Sequence, residues 1–274
     1  ENALGGIVCV WNDRAVANGD DVMIMNPVYP GMLAFAERSW RGGGYAGWTA
    51  TIGEPETERA TAFAEFENRL LDQKQQYFKG LDFPYVKQAD LVWDIYGPYE
   101  NKGNLSKVFA PESIKFNALK EKPKYKATGG TLVMKHWWAP LISGVVEQPQ
   151  ENTTWYAQTQ IWSDEDKQRE FWIGFNNLSR SMSTDSPNAG TWNNLKSQVW
   201  VNNELVSPPL WKHPNQKGNL EIPLIDEGYE FREPTLISLK KGWNTVKVKL
   251  PVASFKGPNW TNPVKWMFTF VEVK

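Results

Sequence analysis

The sequence has few residues of the kinds that form disulfides or bind zinc. Its 274 residues include one cysteine, Cys9, and two histidines, His136 and His213, that lie far apart. A single cysteine excludes an internal disulfide, and two distant histidines do not make a histidine-rich metal site. We therefore expect no cofactor and no bound catalytic metal. Loops rich in Asn and Asp leave a structural calcium ion open, although no dense acidic ligand loop is visible.

A large net charge and long apolar runs are also absent. The chain has 30 Lys and Arg against 31 Asp and Glu, for a net charge of -1. This balance argues against nucleic acid and anionic membranes as partners. No apolar run approaches the length of a membrane span, and the first residues do not have a signal-peptide pattern. Since the sequence does not begin with methionine, we expect a processed or excised piece of a longer protein.

Aromatic residues are abundant: the chain has 15 Trp, 13 Phe and 9 Tyr, and 41% of its residues are hydrophobic. This content is enough for a substantial core. Aromatic rings stack on sugar rings, but they also fill the cores of β-sandwiches. The excess alone therefore leaves both roles open.

The first part of the chain, residues 1–84, has helical periodicity. The segment Tyr29–Trp40 has Pro30 at its helix start and repeats apolar residues every three or four positions, which predicts a helix. A longer helix is predicted from about Thr57 to Phe78, with an apolar stripe and a charged opposite face. The stripe consists of Phe63, Phe66, Leu70 and Tyr77. Gly80–Gln88 contains the Gly and Pro that end this helix and mark a domain boundary.

The second part, residues 85–274, has a period of two and frequent turns. Seven or so short runs rich in β-branched and aromatic residues predict strands. They are ADLVWDIYGPYENKG, TLVMKHWW, TTWYAQTQIW, REFWIGFNN, SQVWVNNELV, NTVKVKL and VKWMFTFVEV. The pattern predicts an all-β sandwich of two sheets closed as a jelly roll. We interpret the charged stretch Asn117–Gly130 as a long loop within it.

Two motifs near the start resemble a known enzyme family. A predicted buried strand, GGIVCVW, ends in Trp11-Asn12-Asp13, and the next helix contains Ala36-Glu37-Arg38-Ser39-Trp40. Ala3–Phe83 thus resembles the last β/α unit of the (β/α)8 barrel of family 20 glycoside hydrolases, the β-N-acetylhexosaminidases. The resemblance implies that Trp11 forms part of the sugar pocket. It implies that Asp13, one methylene shorter than the family's usual Glu, accepts hydrogen bonds from sugar hydroxyls.

The catalytic residues of that family have no counterpart in this sequence. The family's Asp-Glu pair lies in a His-x-Gly-Gly-Asp-Glu context near strand four, and no such context occurs here. We interpret Asp164-Glu165 and Asp226-Glu227 as loop carboxylates of the β-rich part. A complete barrel also needs about 250 residues. The resemblance therefore implies a C-terminal portion of a glycosidase that removes terminal N-acetylhexosamine, a portion with no catalytic residue and no activity of its own.

The fold expected for the whole chain is α+β and multidomain, with the end of a barrel followed by a sandwich. A barrel strand without its neighbours has unpaired backbone groups. We therefore expect residues 1–14 to pair with another chain, which would give self-association, or to pack against the long helix. The remainder of a catalytic barrel is the other expected partner.

The second part resembles the galactose-binding-like jelly rolls that accompany bacterial polysaccharide hydrolases. The resemblance is carried by WDIYGPYENKG, WYAQTQIWSDEDKQREFWIGFNN, VWVNNELV and KKGWNTVKVKL, in that order. Some such modules bind sugars through loops, so Trp192, Trp211 and Trp260, which lie among Asn, Gly and Pro, are candidate sugar-binding residues. The alternative is that these rings fold back over the sandwich ends or contact the barrel.

Three functions remain open at this point. The chain is a fragment of an N-acetylhexosaminidase, a carbohydrate-binding module, or a scaffold that stabilises a catalytic barrel. N-acetylhexosamine-containing glycans are the expected ligands through the parent enzyme. The two resemblances also imply an exported protein, periplasmic or extracellular.

Overall fold

The structure is a computed structural model that describes residues 6–9, 28–42, 48–81, 83–113, 119–175, 185–218, 228–229, 232–257 and 263–273. The strands in these ranges form two antiparallel β-sheets, and two helices precede the sheets in the chain. None of the helices in these ranges is both long enough and apolar enough to cross a membrane.

The two predicted helices are confirmed. Helix α1 is Val28–Arg41, with helical geometry from Pro30 because Tyr29 is extended (φ -101°, ψ 127°). Helix α2 is Glu58–Tyr77, and the Thr57 side chain caps it by accepting a hydrogen bond from the Ala60 amide. The predicted apolar stripe of α2 is wrong at its end, since Tyr77 is exposed.

The two helices contact each other through a few side chains. Arg69 of α2 forms an ion pair with Glu37 of α1 at 2.5 Å, and the Tyr29 and Phe78 rings lie 4.8 Å apart. Glu37 belongs to the Ala-Glu-Arg-Ser-Trp motif. No residue of α1 is buried. The first helix therefore lies on the surface of the described part of the chain.

Ten strands of the described residues form the two sheets. The six-stranded sheet has the order β2-β1-β4-β9-β6-β7, and the four-stranded sheet has the order β3-β10-β5-β8. The strands of the first sheet are β1 (Val92–Glu100), β2 (Tyr125–Thr128), β4 (Thr153–Ser163), β6 (Gln198–Val201), β7 (Glu204–Leu205) and β9 (Gly242–Val252). Those of the second are β3 (Thr131–Lys135), β5 (Lys167–Gly174), β8 (Thr235–Leu239) and β10 (Trp266–Glu272).

The hydrophobic core lies between the two sheets, as the predicted β-sandwich requires. Trp93 and Trp155 of the first sheet and Trp266 and Phe268 of the second are almost completely buried. The Trp93 and Phe268 rings meet edge to face at 4.9 Å. Part of the aromatic excess therefore fills the core, where large rings contribute most to stability.

Two strands and one segment differ from the sequence prediction. Strand β2 lies inside Asn117–Gly130, which was predicted to be a loop, and β8 was not predicted. Both are edge strands of four or five residues, and runs this short give weak periodicity. In the predicted first strand, the described residues 6–9 are exposed and not in a β-strand. Gly6 lies against the Phe35 ring of α1, not against the long helix α2.

A segment that we call the strap, residues 101–113, covers part of the outer face of the six-stranded sheet. It contains the short helix α3 (Ala110–Ser113). Lys249 of β9 is buried beneath it, where its ammonium group lies 2.7 Å from the Glu112 carboxylate and donates to the Lys107 carbonyl at 2.8 Å. The Tyr156 hydroxyl donates to the same carboxylate. These buried polar contacts attach the strap to the sheet.

Candidate functional site

Three of the five residues singled out from the sequence cannot be placed. Trp11, Asp13 and Trp260 lie outside the described residues. Asp226-Glu227 also lies outside them. Asp164-Glu165 lies in the turn between β4 and β5, as interpreted from the sequence.

Trp192, a candidate sugar-binding residue, is only 4% exposed. Its indole N–H donates to the Val206 carbonyl at 3.1 Å, and its ring packs against Phe175. The loop that carries Trp192 folds back onto the sandwich, which is the alternative weighed for these rings. Its ring faces are therefore not open to a sugar.

Trp211 is half-buried and is held from two sides. Its indole N–H donates to the Thr191 carbonyl at 2.8 Å, and the Arg232 guanidinium lies 4.8 Å from the ring centre. A cation over an aromatic ring is an attractive contact in its own right. One face of Trp211 is thus already covered by protein.

The structure places two other tryptophans in a cleft with a volume of about 960 Å³. One wall of this cleft is the sandwich, and the other is the end of α2 and the segment that follows it. The sandwich wall includes Gln160, Ile161, Trp162, Arg169, Phe171, Trp243, Val271 and Glu272. The helical wall includes Lys74, Gln75, Phe78, Lys79, Leu81, Tyr85, Lys87 and Asp90.

Trp162 and Trp243 form a cross-strand pair at this cleft. They are register partners on β4 and β9, and their ring centres are 5.3 Å apart at an interplanar angle of 72°. The rings remain 50% and 64% exposed. The indole N–H of Trp162 donates to the Asp164 carboxylate at 2.7 Å, which fixes the orientation of that ring.

Strand alternation explains why these two rings point away from the core. Side chains alternate between the two faces of a strand. Ile161 and Val246 pack in or against the core, so Trp162 and Trp243 belong to the opposite face, together with Lys247 and Lys249. Large exposed aromatic rings in a cleft are unusual unless they contact a partner.

Charged and amide side chains line the same cleft as the tryptophan pair. Arg169 pairs with Glu272 at 2.9 Å, and Lys87 pairs with Asp90 at 2.9 Å. The Lys74 ammonium donates to the Tyr85 carbonyl at 2.6 Å, and burial lowers the pKa of Lys74. The cleft therefore offers both donors and acceptors for hydroxyl groups beside apolar ring faces.

A buried carboxylate holds the helical wall in place. Glu67 of α2 is fully buried and accepts three hydrogen bonds, from the Tyr85 hydroxyl and the Gln88 amide at 2.6 Å and from the Ala89 amide at 2.9 Å. Burial and this contact raise the pKa of Tyr85. These bonds fix the segment after α2 against the helix, so the cleft has a rigid wall.

Within the described ranges, no group of three His, Cys, Asp or Glu side chains could hold a metal ion. The polar groups of the cleft are instead suited to hydrogen bonding. Tryptophan faces in one cleft with paired cations, carboxylates and an amide suit a sugar, because a sugar has both C–H faces and hydroxyl edges.

Comparison with known proteins gives little further information. No protein family model matches the chain, and no curated protein matches it. Among solved structures, the chain is similar to the β-glucosidase from Kluyveromyces marxianus in complex with glucose, with 12% identity and a TM-score of 0.26. The match covers 67% of this chain and 15% of that chain. A similarity this low does not establish a shared fold or a shared activity.

Proposed function

We propose that the chain is a non-catalytic part of a glycoside hydrolase of the β-N-acetylhexosaminidase type, and that it binds sugars in the cleft between α2 and the sandwich. One observation carries the binding function: the exposed cross-strand pair Trp162 and Trp243 lies in a large cleft beside hydrogen-bonding side chains. The proposal places the sugar-binding rings on β4 and β9, where the sequence did not predict them.

The class of hydrolase rests on sequence motifs alone. The Ala-Glu-Arg-Ser-Trp segment, residues 36–40, and the Trp-Asn-Asp segment, residues 11–13, support the family 20 resemblance. N-acetylhexosamine-containing glycans are accordingly the proposed ligands. Because such glycans are largely polymers and conjugates outside the cytoplasm, the proposal includes an exported location.

Calorimetric titration of the chain with N-acetylglucosamine oligomers tests the binding function. Replacing Trp243 by Ala removes one stacking face, which we expect to weaken binding about tenfold, equivalent to about 1.4 kcal/mol. Trp138→Ala is the matched control, since Trp138 is 60% exposed but does not line the cleft. Equal effects of the two substitutions, or no binding by the wild-type chain to any N-acetylhexosamine glycan, would refute sugar binding at this site.

The absence of activity is a separate part of the proposal. An aryl N-acetylglucosaminide releases a coloured product on hydrolysis, and we expect none from this chain alone. Release of product, lost on substitution of a described carboxylate, would show that the chain contains its own general acid.

A scaffold role is the second candidate, and α1 is the observation that favours it. A helix of this length normally buries one apolar face, yet no residue of α1 is buried and Trp40 is 92% exposed. Contact with a neighbouring catalytic domain would bury this face. If this role is correct, deleting the sandwich from the longer hydrolase lowers that enzyme's melting temperature, whether or not the cleft binds sugar.

A further inference from the structure

The shape of the cleft restricts the form of its ligand. We infer that it binds a single soluble sugar chain, such as a short oligosaccharide or a chain end, and not the flat face of a crystalline polysaccharide. This inference rests on the proposed function and adds the ligand class to it.

The tryptophan pair does not offer a flat surface. A crystalline polysaccharide presents many parallel chains in one plane, so a protein that adsorbs to it needs aromatic rings that lie in one plane. The planes of Trp162 and Trp243 instead meet at 72° with their centres 5.3 Å apart. The two rings form a corner, which can contact one sugar unit on its face and on its edge.

The helical wall is the second reason to expect a single sugar chain as the ligand. Gln75, Lys79 and Leu81 line the same cleft as the tryptophan pair. A flat crystal face could contact the side chains of both walls only if this wall were displaced. Glu67 holds the segment after α2 through three hydrogen bonds, and displacing it would leave these groups unpaired inside the protein, at a cost of about 1–3 kcal/mol for each group.

The size of the cleft agrees with a short chain. Its volume of about 960 Å³ is near the upper end of the range of about 300–1,000 Å³ found for sites that enclose drug-sized ligands. A short oligosaccharide has that size. The cleft is also lined by side chains from both walls, so a bound chain would exchange hydrogen bonds with each of them.

Two binding measurements on the full chain test this inference. The first is titration with the soluble trimer of N-acetylglucosamine, and the second is depletion of the protein from solution by powdered crystalline chitin. Trp243→Ala probes the aromatic wall. Gln75→Ala probes the helical wall, and Gln76→Ala is its matched control, because Gln76 is exposed on the same helix and does not line the cleft.

We expect the wild-type chain to bind the trimer and to stay in solution with chitin powder. Gln75→Ala removes one net hydrogen bond, which predicts an affinity about three- to tenfold weaker, whereas Gln76→Ala leaves the affinity unchanged. Adsorption to crystalline chitin that depends on Trp243, without binding of the trimer, would overturn the inference and leave sugar binding intact. Trimer binding that depends on Trp243 but not on Gln75 would overturn the two-walled site. If neither form of the sugar binds, the proposed function fails and the inference fails with it.

Discussion

The buried carboxylate of Glu67 gives the most quantitative prediction. Replacing Glu67 by Ala leaves the Gln88 and Ala89 amides without their acceptors in the interior. A buried donor that loses its partner costs about 1–3 kcal/mol, so the two amides together cost about 2–6 kcal/mol. Domains are stable by only about 5–15 kcal/mol. We therefore expect Glu67→Ala to release the segment after α2 or to unfold the chain.

Two milder substitutions set the scale for this effect. Glu67→Gln keeps an oxygen for the Tyr85 hydroxyl and the Gln88 amide, which share one carboxylate oxygen, but turns an NH₂ group toward the Ala89 amide. The expected loss is about 1–3 kcal/mol. Tyr85→Phe leaves both amides paired and costs least. Glu65→Ala, at an exposed position of the same helix, changes stability by less than about 0.5 kcal/mol.

Urea unfolding measures the loss of stability of the whole chain, and amide hydrogen exchange measures the loss at individual amides. Each 1.4 kcal/mol lost from the local opening free energy accelerates exchange about tenfold, and the effect is centred on the Gln88 and Ala89 amides. The same variants weaken oligosaccharide binding, since they loosen one wall of the cleft. If Glu67→Ala unfolds at the same urea concentration as Glu65→Ala, with unchanged exchange at residue 89, the three hydrogen bonds do not stabilise this wall.

Two further predictions concern the sandwich. Burial, and secondarily Lys135, lowers the pKa of His136. Its Nδ1 also accepts a hydrogen bond from the Trp138 amide at 3.1 Å. The His136 imidazole therefore takes up a proton more readily in the unfolded chain than in the folded one. The free energy of unfolding therefore falls as pH drops below about 6.5. His136→Asn keeps an acceptor, so its melting temperature should fall less than that of the wild type between about pH 7.5 and about pH 5.5. An equal fall in both proteins would assign the pH dependence to another group. Gly97→Ala would place a methyl group 2.9 Å from the Trp155 ring at a φ of +131°, so the urea midpoint should drop by the equivalent of more than about 1 kcal/mol. Gly190 has a φ of +71° and nothing within 4 Å of an added methyl group, so Gly190→Ala shows the backbone cost without a steric clash. Equal losses of stability in the two variants would exclude a clash with Trp155 as a contribution.

Much of the fold follows from periodicity alone. Helix α2 has a cap, an apolar face and a Gly-containing end, and the longer strands β4, β9 and β10 alternate over enough residues to be recognised. The short edge strands β2 and β8 were not predicted in this way. The burial of Glu67 was not predicted either, because a carboxylate on a helix is normally solvated, and its three donors lie 18 or more positions further along the chain.

The candidate site shows a different limit of sequence reasoning. Loop position left open whether Trp192 binds sugar or folds back over the sandwich; in the structure its loop folds back, and the indole N–H donates to the Val206 carbonyl. Trp162 and Trp243 fall within strands, where half of the side chains point outward. Which half does so depends on the pairing of β4 with β9. The partners in this pairing are 79 to 99 residues apart in sequence, and no local pattern encodes it.

The pairing of β4 with β9 constrains how this protein can change during evolution. The two strands are in unbroken register from Thr153 opposite Val252 to Ser163 opposite Gly242. Because side chains alternate with a period of two, inserting or deleting one residue in β9 would turn Trp243 toward the core or separate it from Trp162. Homologues can therefore alter the ligand by substitution at these two positions or by changes of length in the surrounding loops, whereas a length change inside either strand removes the site altogether.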